Sequence, residues 1–296
     1  MKGLYKKDKN FIKCLACSHY CKIAEGHAGI CGVRENQNGE LKLLVYGRPC
    51  AAHVDPIEKK PFYHFLPGTK ILSLGTFGCN LGCGFCQNWD ISQISRHAKE
   101  AATGWKDFLA KIDYLSPEAV VKMALENHLP TIAFTYNEPT IWTEYAIDIA
   151  KLAKKAGLKC AYVSNGYMSK ETCDYIAPYI DAINIDLKSF SDKFYIKTCQ
   201  ARLQPVLDNI KRLHKAGLWI EITTLVIPGE NDSPAELKKI AEFIVSVSPD
   251  IPWHLSAFYP NYEMTGTGAT DPGTLHTGQK IGQDAGLKYV YLGNIN

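Results

Sequence analysis

The chain has 296 residues, a formal net charge of +3, 46% hydrophobic and 21% charged residues, and eleven cysteines. A chain of this length buries a full core without covalent staples, which excludes a disulfide scaffold, and the odd cysteine count agrees. No run approaches about 18 apolar residues, so a membrane-spanning helix is excluded, and so small a charge surplus does not argue for nucleic acid as a main partner.

The lysine-rich start, Met1 to Lys13, carries no apolar run of the signal-peptide kind, so a cytoplasmic location is expected. In that reducing compartment clustered cysteines bind metal or react rather than pair. Residues 1–69 read as a small appended unit rich in cysteine, glycine, lysine and aromatic residues, with a hairpin expected around Asn36 to Glu40. Within it Cys14, Cys17, Cys21 and Cys31 have the spacing Cys-x2-Cys-x3-Cys-x9-Cys. Four thiolates so close suffice for one closed site, either structural zinc or an auxiliary iron-sulfur cluster. Zinc is favoured, because a short unit with little apolar content needs a metal to fold. Glu58, Lys59 and Lys60 read as a solvated or hairpin-pairing face.

Residues 70–296 alternate short β-branched apolar runs with amphipathic stretches, the pattern of repeated βα units around parallel strands. Strands are predicted at Ile71 to Thr76, Thr131 to Thr135, Cys160 to Val163, Ala182 to Leu187, Trp219 to Ile227 and Trp253 to Phe258, with a seventh at Lys288 to Leu292. Helices are predicted over Ser116 to Asn127, Ile141 to Ala156, Lys170 to Ile176, Pro205 to Ala216 and Ser233 to Val245. The fold class is therefore α/β, a partial (β/α)6 TIM-like barrel behind a small cysteine-rich metal-binding unit.

Directly after the first of these strands stand Cys79, Cys83 and Cys86, spaced Cys-x3-Cys-x2-Cys on a glycine-loosened loop. Three clustered thiolates can ligate three irons of a cubane cluster and leave the fourth open for chemistry, whereas zinc ordinarily takes four ligands or three and a water. Ligand sites of such folds lie at the C-terminal ends of the strands. Several other strands also end in polar groups. Glu138 follows one, Ser164-Asn165-Gly166 another, and Asn-Gly there is also a plain turn signal. Asp186 and Lys188, two apart, share one side of an apolar strand. His254 lies in the sixth run, where a lone histidine is as readily a core residue as a ligand contact. Cys160 and Cys173 read as small core hydrophobes. Cys199 reads as buried packing before it reads as a hydrogen donor.

The loop Cys79 to Cys86 resembles the signature of the radical S-adenosylmethionine (SAM) superfamily, and Phe85 fits its aromatic position. The resemblance implies a site-differentiated 4Fe-4S cluster whose open iron chelates SAM, one-electron cleavage of the sulfonium, and a 5′-deoxyadenosyl radical that abstracts hydrogen. Tyr136-Asn137-Glu138-Pro139 is similar to the superfamily's glycine-glycine-glutamate-proline segment, which implies that Asn137 and Glu138 hold the SAM ammonium; Tyr136 and Asn137 replace both glycines. By resemblance to glycyl-radical-enzyme activases, Ser164 and Asn165 would contact the ribose and Asp186 and Lys188 the methionyl end. The segment Val226 to Asp232 would lie by the adenine, and His254 would touch SAM.

The order of the cysteine unit, Val54 to Gly68, Cys79 to Trp89, Ile183 to Lys188, Glu221 to Asp232 and Tyr289 to Asn294 resembles the AmmeMemoRadiSam-system radical SAM enzymes, relatives of pyruvate formate-lyase activating enzyme. That resemblance covers nearly the whole chain and gives Cys50 no role. It implies a low-potential electron donor such as flavodoxin or ferredoxin, and a substrate that is a glycyl radical enzyme, another protein or a small molecule. The competing reading is a non-enzymatic module, binding zinc at both cysteine groups, for protein interaction or nucleic acid.

Overall fold

Buried β-branched runs and amphipathic helices build one eight-stranded sheet in the computed structural model, which describes residues 3–96 and 104–295. Five short strands precede it. β1 (Tyr5–Asp8), β2 (Phe11–Cys14) and β3 (Lys22–Ala24) form an antiparallel sheet, and β4 (Arg34–Gln37) pairs with β5 (Glu40–Leu43) in the expected hairpin. The large sheet runs in chain order from β6 (Ala51–Pro56) through β7 (Lys70–Gly75), β8 (Thr131–Phe134), β9 (Lys159–Ser164), β10 (Ala182–Asp186), β11 (Trp219–Val226) and β12 (Trp253–Ala257) to β13 (Val290–Gly293). Strands β7 to β13 are parallel; β6 is antiparallel to β7, with Ala51 opposite Gly75 and Pro56 opposite Lys70. The sheet thus reaches back past Gly68 into the segment read as part of the N-terminal unit.

The helices are α1 (Trp89–Ser92), α2 (Trp105–Lys111), α3 (Pro117–Glu126), α4 (Thr143–Lys155), α5 (Lys170–Ile176), α6 (Asp192–Phe194), α7 (Leu203–Lys215), α8 (Pro234–Val247) and α9 (Pro272–Asp284). Their starts follow local chemistry. The Ser116 and Ser233 side chains accept from Ala119 N and Glu236 N, each with proline at the first helical position. Glu138 caps a 3-10 turn, Pro139–Trp142, so the predicted helix Ile141 to Ala156 begins instead as α4 at Thr143. No helix is long and apolar enough to cross a membrane among the described residues.

The segment between β6 and β7 closes one end of the sheet's inner face. Ala133, Ala161 and Ala182 are cross-strand neighbours on β8, β9 and β10, and this row of small side chains leaves the space that Phe62 fills, with Ile57 and Ile71 beside it. Asn184 Nδ2 donates to Pro61 O at 2.8 Å. Glu221, opposite Asn184 in register, accepts from the backbone of Tyr63, His64 and Phe65 at 3.0, 3.0 and 3.3 Å and from Trp219 Nε1 and His254 Nε2 at 3.1 and 2.7 Å. Of the two expectations for Lys60, a solvated or a hairpin-pairing face, the solvated one fails: Lys60 is buried, its ammonium reaching Asp55 of β6 at 2.8 Å and lying over the Tyr136 ring.

Burial alone would raise the Glu221 pKa, but the donors from His254, Tyr63, His64 and Trp219 hold it below the ordinary carboxylate value. A depressed folded pKa contributes stability above the unfolded value that is lost as pH falls through the folded one. Glu221→Gln, which turns an amide toward these donors, is expected to cost about 2 kcal/mol. Urea unfolding would read this as a lower midpoint at constant slope. An unchanged midpoint would mean that the carboxylate does not hold the segment.

Candidate functional site

At the C-terminal ends of the parallel strands lies a cavity of about 620 Å³. Its wall collects Cys79, Cys83, Phe85 and Cys86 from the loop after β7, and Asn137 and Glu138 from the loop after β8. Ser164, Asn165, Asp186, Lys188 and His254 come from β9, β10, β12 and the turns that follow them. Phe85, the three cysteines of its loop, Asn137, Glu138, Ser164, Asn165, Asp186, Lys188 and His254 therefore share one cavity, whereas no residue of the segment Val226 to Asp232 lines it, and Cys14, Cys17, Cys21 and Cys31 lie outside it.

The cysteine loop is gripped by backbone. Gly78 has φ +92°, and a Cβ there would stand 2.7 Å from Cys31 O and 2.8 Å from Ser95 Oγ, so glycine is required. Gly82 N and Gly84 N donate to Cys199 O and Thr198 O at 3.0 and 3.2 Å, and Glu263 N donates to Gly84 O at 3.0 Å. His19 Nε2 and Arg96 Nη1 both donate to Asn80 O, at 2.9 and 3.0 Å. All three cysteines line the cavity, Cys83 buried and Cys79 and Cys86 partly exposed. Burial pushes Cys79 and Cys86 up; for Cys83 the Cys199 hydrogen bond comes first and burial second. Three thiols so placed stay protonated unless metal charge replaces the protons. Leu81 N already points at Cys79 Sγ at 3.4 Å, a contact that suits a thiolate ligand. The donor set thus fits a cluster in which each cysteine binds its own iron.

The other side chains divide by how far the protein satisfies them. The Asn137 amide is a strut: it accepts from Thr76 N and Trp142 Nε1 and donates to Thr76 Oγ1 and Gly78 O, at 2.8 to 3.2 Å. Glu138 Oε1 accepts from Thr140 N, Thr140 Oγ1 and Ser164 Oγ, whereas Oε2, among the described residues, accepts only from Asn165 N at 2.7 Å. Burial raises the Glu138 pKa, and those donors oppose it. Asn165 Nδ2 donates to Asn80 Oδ1 at 2.8 Å, tying the turn after β9 to the cysteine loop. Lys188 Nζ lies 2.9 Å from Asp186 Oδ2 and above the Phe85 ring. Burial, the largest influence, works against its charge, but Asp186, Cys83 and Cys199 together outweigh burial and keep the ammonium protonated. His254 is held on Glu221 and packs edge-on against Tyr63.

Sequence reasoning missed part of the wall. Lys60, Tyr63 and Tyr136 line it, and Tyr136, at φ +67°, keeps the left-handed backbone that glycine would adopt, with its hydroxyl on Asp55 at 2.8 Å. Ser92 and Gln93, buried beyond the last cysteine, also line it. The aromatic run after Lys60 was the available sign that this stretch is interior.

The N-terminal cysteines are gathered, since Cys14, Cys17, Cys21 and Cys31 act on one another electrostatically, and burial raises the thiols of Cys14, Cys17 and Cys31. Among the described residues, no three histidine, cysteine, aspartate or glutamate side chains converge on a single-ion position. The unit docks on the segment after β9: Ser18 Oγ donates to Met168 O and Thr172 Oγ1 to Ala16 O, both at 2.7 Å.

A family model described as the Radical SAM superfamily matches residues 73–244. An uncharacterized protein of Methanocaldococcus jannaschii is 39% identical over 98% of this chain and 83% of its own length. A pyruvate formate-lyase-activating enzyme of Clostridium pasteurianum is 24% identical over 57% of this chain and 67% of that enzyme. The crystal structure of a radical SAM methyltransferase from Sphaerobacter thermophilus is similar in fold, with a TM-score of 0.57 and 15% identity over 77% of this chain and 67% of that one. The family match spans more than half of the chain and contains the cysteine loop and the turns after β8, β9, β10 and β11, so the chain belongs to the radical SAM superfamily and is an enzyme related to the pyruvate formate-lyase activating enzymes.

Proposed function

We propose that this protein cleaves SAM reductively and abstracts a hydrogen atom from a substrate, on a partial (β/α)6 barrel left open between β6 and β13. The observation that carries this reading is the convergence of three thiols from one short loop with the polar ends of successive parallel strands on one cavity. A 4Fe-4S cluster held by Cys79, Cys83 and Cys86 would supply one electron to the SAM sulfonium, releasing methionine and a 5′-deoxyadenosyl radical.

The chain's own residues would bind and orient. Glu138 Oε2, with one protein donor, has a lone pair left for an ammonium. Lys188 stays charged for the methionyl carboxylate, and Asp186 keeps it aimed into the cavity. The turn Ser164-Asn165, fixed by Glu138 and Asn80, would meet the ribose, and His254, fixed by Glu221, would face the same ligand. Flavodoxin or ferredoxin would deliver the electron, and kinship with activating enzymes favours a protein substrate, such as a glycyl radical enzyme. A second metal, zinc or an auxiliary cluster, would draw together Cys14, Cys17, Cys21 and Cys31, which lie near one another but do not converge on a single-ion position.

Anaerobic reconstitution tests this. The expected result is a brown protein with about four irons and four sulfides at the central site, forming 5′-deoxyadenosine only with SAM and reductant. Zinc at one per chain would identify the second metal. A colourless zinc protein without SAM affinity would overturn the enzyme reading in favour of an interaction module.

A further inference from the structure

Beyond the last cysteine the chain forms α1, whose final residue, Ser92, is 1% exposed and places Oγ 3.1 Å from Cys86 Sγ. Either atom could donate in an isolated pair. A cluster-bound thiolate carries no proton, so there Ser92 is the donor, and Gln93, 3% exposed, helps orient it: its Nε2 donates to Ser92 Oγ at 3.0 Å and to Leu81 O at 3.3 Å. A serine hydroxyl has one proton and two acceptor positions. With one acceptor position filled by Gln93, the hydroxyl proton is free to point at the sulfur. Leu81 belongs to the cysteine loop itself, so the amide that orients Ser92 is anchored to the loop that carries Cys86.

We propose that Ser92 is a positioning residue for the cluster, donating an O–H···S hydrogen bond to the Cys86 thiolate and thereby raising the cluster's reduction potential, with Gln93 fixing the hydroxyl's orientation. This rests on the assignment of Cys86 as a cluster ligand. The added electron increases negative charge on the ligand sulfurs, and a donor aimed at one of them stabilises the reduced state more than the oxidised state. The bond is out of solvent, where such an interaction is screened least. Neither residue stands in the cysteine signature or at a strand end.

The test compares reconstituted wild type, Ser92→Ala, Ser92→Thr, Gln93→Met and the double variant Ser92→Ala/Gln93→Met. Midpoint potentials come from redox titration followed by electron paramagnetic resonance, and bound iron is measured in parallel. Ser92→Ala is expected to disfavour the reduced cluster about tenfold, a shift of about 59 mV to lower potential for one electron. Ser92→Thr, which keeps the hydroxyl, should stay at the wild-type value. Gln93→Met should give a smaller shift in the same direction, and none when added to Ser92→Ala. Full iron with an unmoved potential in Ser92→Ala overturns the proposal, as does a Gln93→Met shift that persists without the hydroxyl. If Ser92→Ala fails to retain iron, an unmoved potential in Gln93→Met overturns it alone. A wild-type chain that takes up no cluster removes the assignment of Cys86, and the proposal with it.

Discussion

Cys83→Ala is expected to leave a folded protein that neither holds a complete central cluster nor forms 5′-deoxyadenosine. Cys83 lies between Cys79 and Cys86 on a loop whose backbone is already paired, Gly82 N and Gly84 N being bonded to Cys199 O and Thr198 O, so the loop keeps its shape without the side chain. On the proposed assignment, what goes is one of three thiolates, the smallest set that would retain three irons and leave one open. Losing an outer partner of a metal ligand costs about 10–100-fold in affinity or activity; losing the ligand itself should exceed that range. One route to rescue stands beside it, because the Cys199 thiol is hydrogen-bonded to Cys83 and fully buried. The decisive variant is therefore Cys83→Ala with Cys199→Ala. Iron analysis and chromatography of the nucleoside check the outcome, and SAM cleavage at the wild-type rate by the double variant would refute the assignment.

The parallel strands were readable because each is a buried, β-branched run bounded by turn residues, and the predicted Ala182 to Leu187 and Trp253 to Phe258 each overshoot the observed strand by one residue. The motifs were readable for a related reason: strand ends in such a fold face one place, so Glu138, Asp186 and the cysteine loop could be grouped without coordinates. The segment that seals the inner face was not readable. Phe62 has a place only because Ala133, Ala161 and Ala182 fall in one row, and that row depends on the register of three strands widely separated in sequence. The burial of Lys60 was hidden for the same reason, since local sequence shows its charge but not the partnership of Asp55 with Tyr136. Helix α9 was missed: Asp271-Pro272 opens it, but its glycines and threonines weaken the apolar period that marks the other helices. The Ser92 contact was hidden because a serine six residues beyond a cysteine matches no pattern until α1 turns it back.

Arg34→Met is expected to destabilise the fold by about 3–5 kcal/mol, the range for leaving one charge of a buried pair without its partner. Arg34, 2% exposed on β4, reaches from the cysteine unit to the opening of α4: Nε donates to Ile141 O at 2.7 Å, Nη1 to Glu144 Oε1 at 3.1 Å, and Nη2 pairs with Glu144 Oε2. Glu144 Oε1 also accepts from Leu4 N at 3.1 Å, so one carboxylate holds two parts of the N-terminal unit. The pH profile separates this ion pair from simple packing. Burial, the largest influence, would raise the Glu144 pKa, but Arg34, with the backbone donors of Glu144 and Leu4, outweighs burial and holds it below the ordinary 4.5. In the wild type the pair's contribution is therefore present above the unfolded value and lost as pH falls through the folded one. In Arg34→Met burial acts unopposed by the guanidinium, the folded pKa rises above the unfolded one, and this group's contribution reverses: stability falls as pH rises through the folded value. Urea unfolding of both proteins across the carboxylate range would show slopes of opposite sign from this site. Arg34→Met with Glu144→Leu should recover most of the loss, since well-packed apolar replacement of a buried pair is often nearly neutral. A single-variant loss below about 1 kcal/mol, the scale of an exposed pair, would show that the pair does not clamp the unit. Because that unit supports Asn80 through His19, Arg34→Met should also retain iron less well at the central loop, and the Arg34→Met, Glu144→Leu protein should restore it.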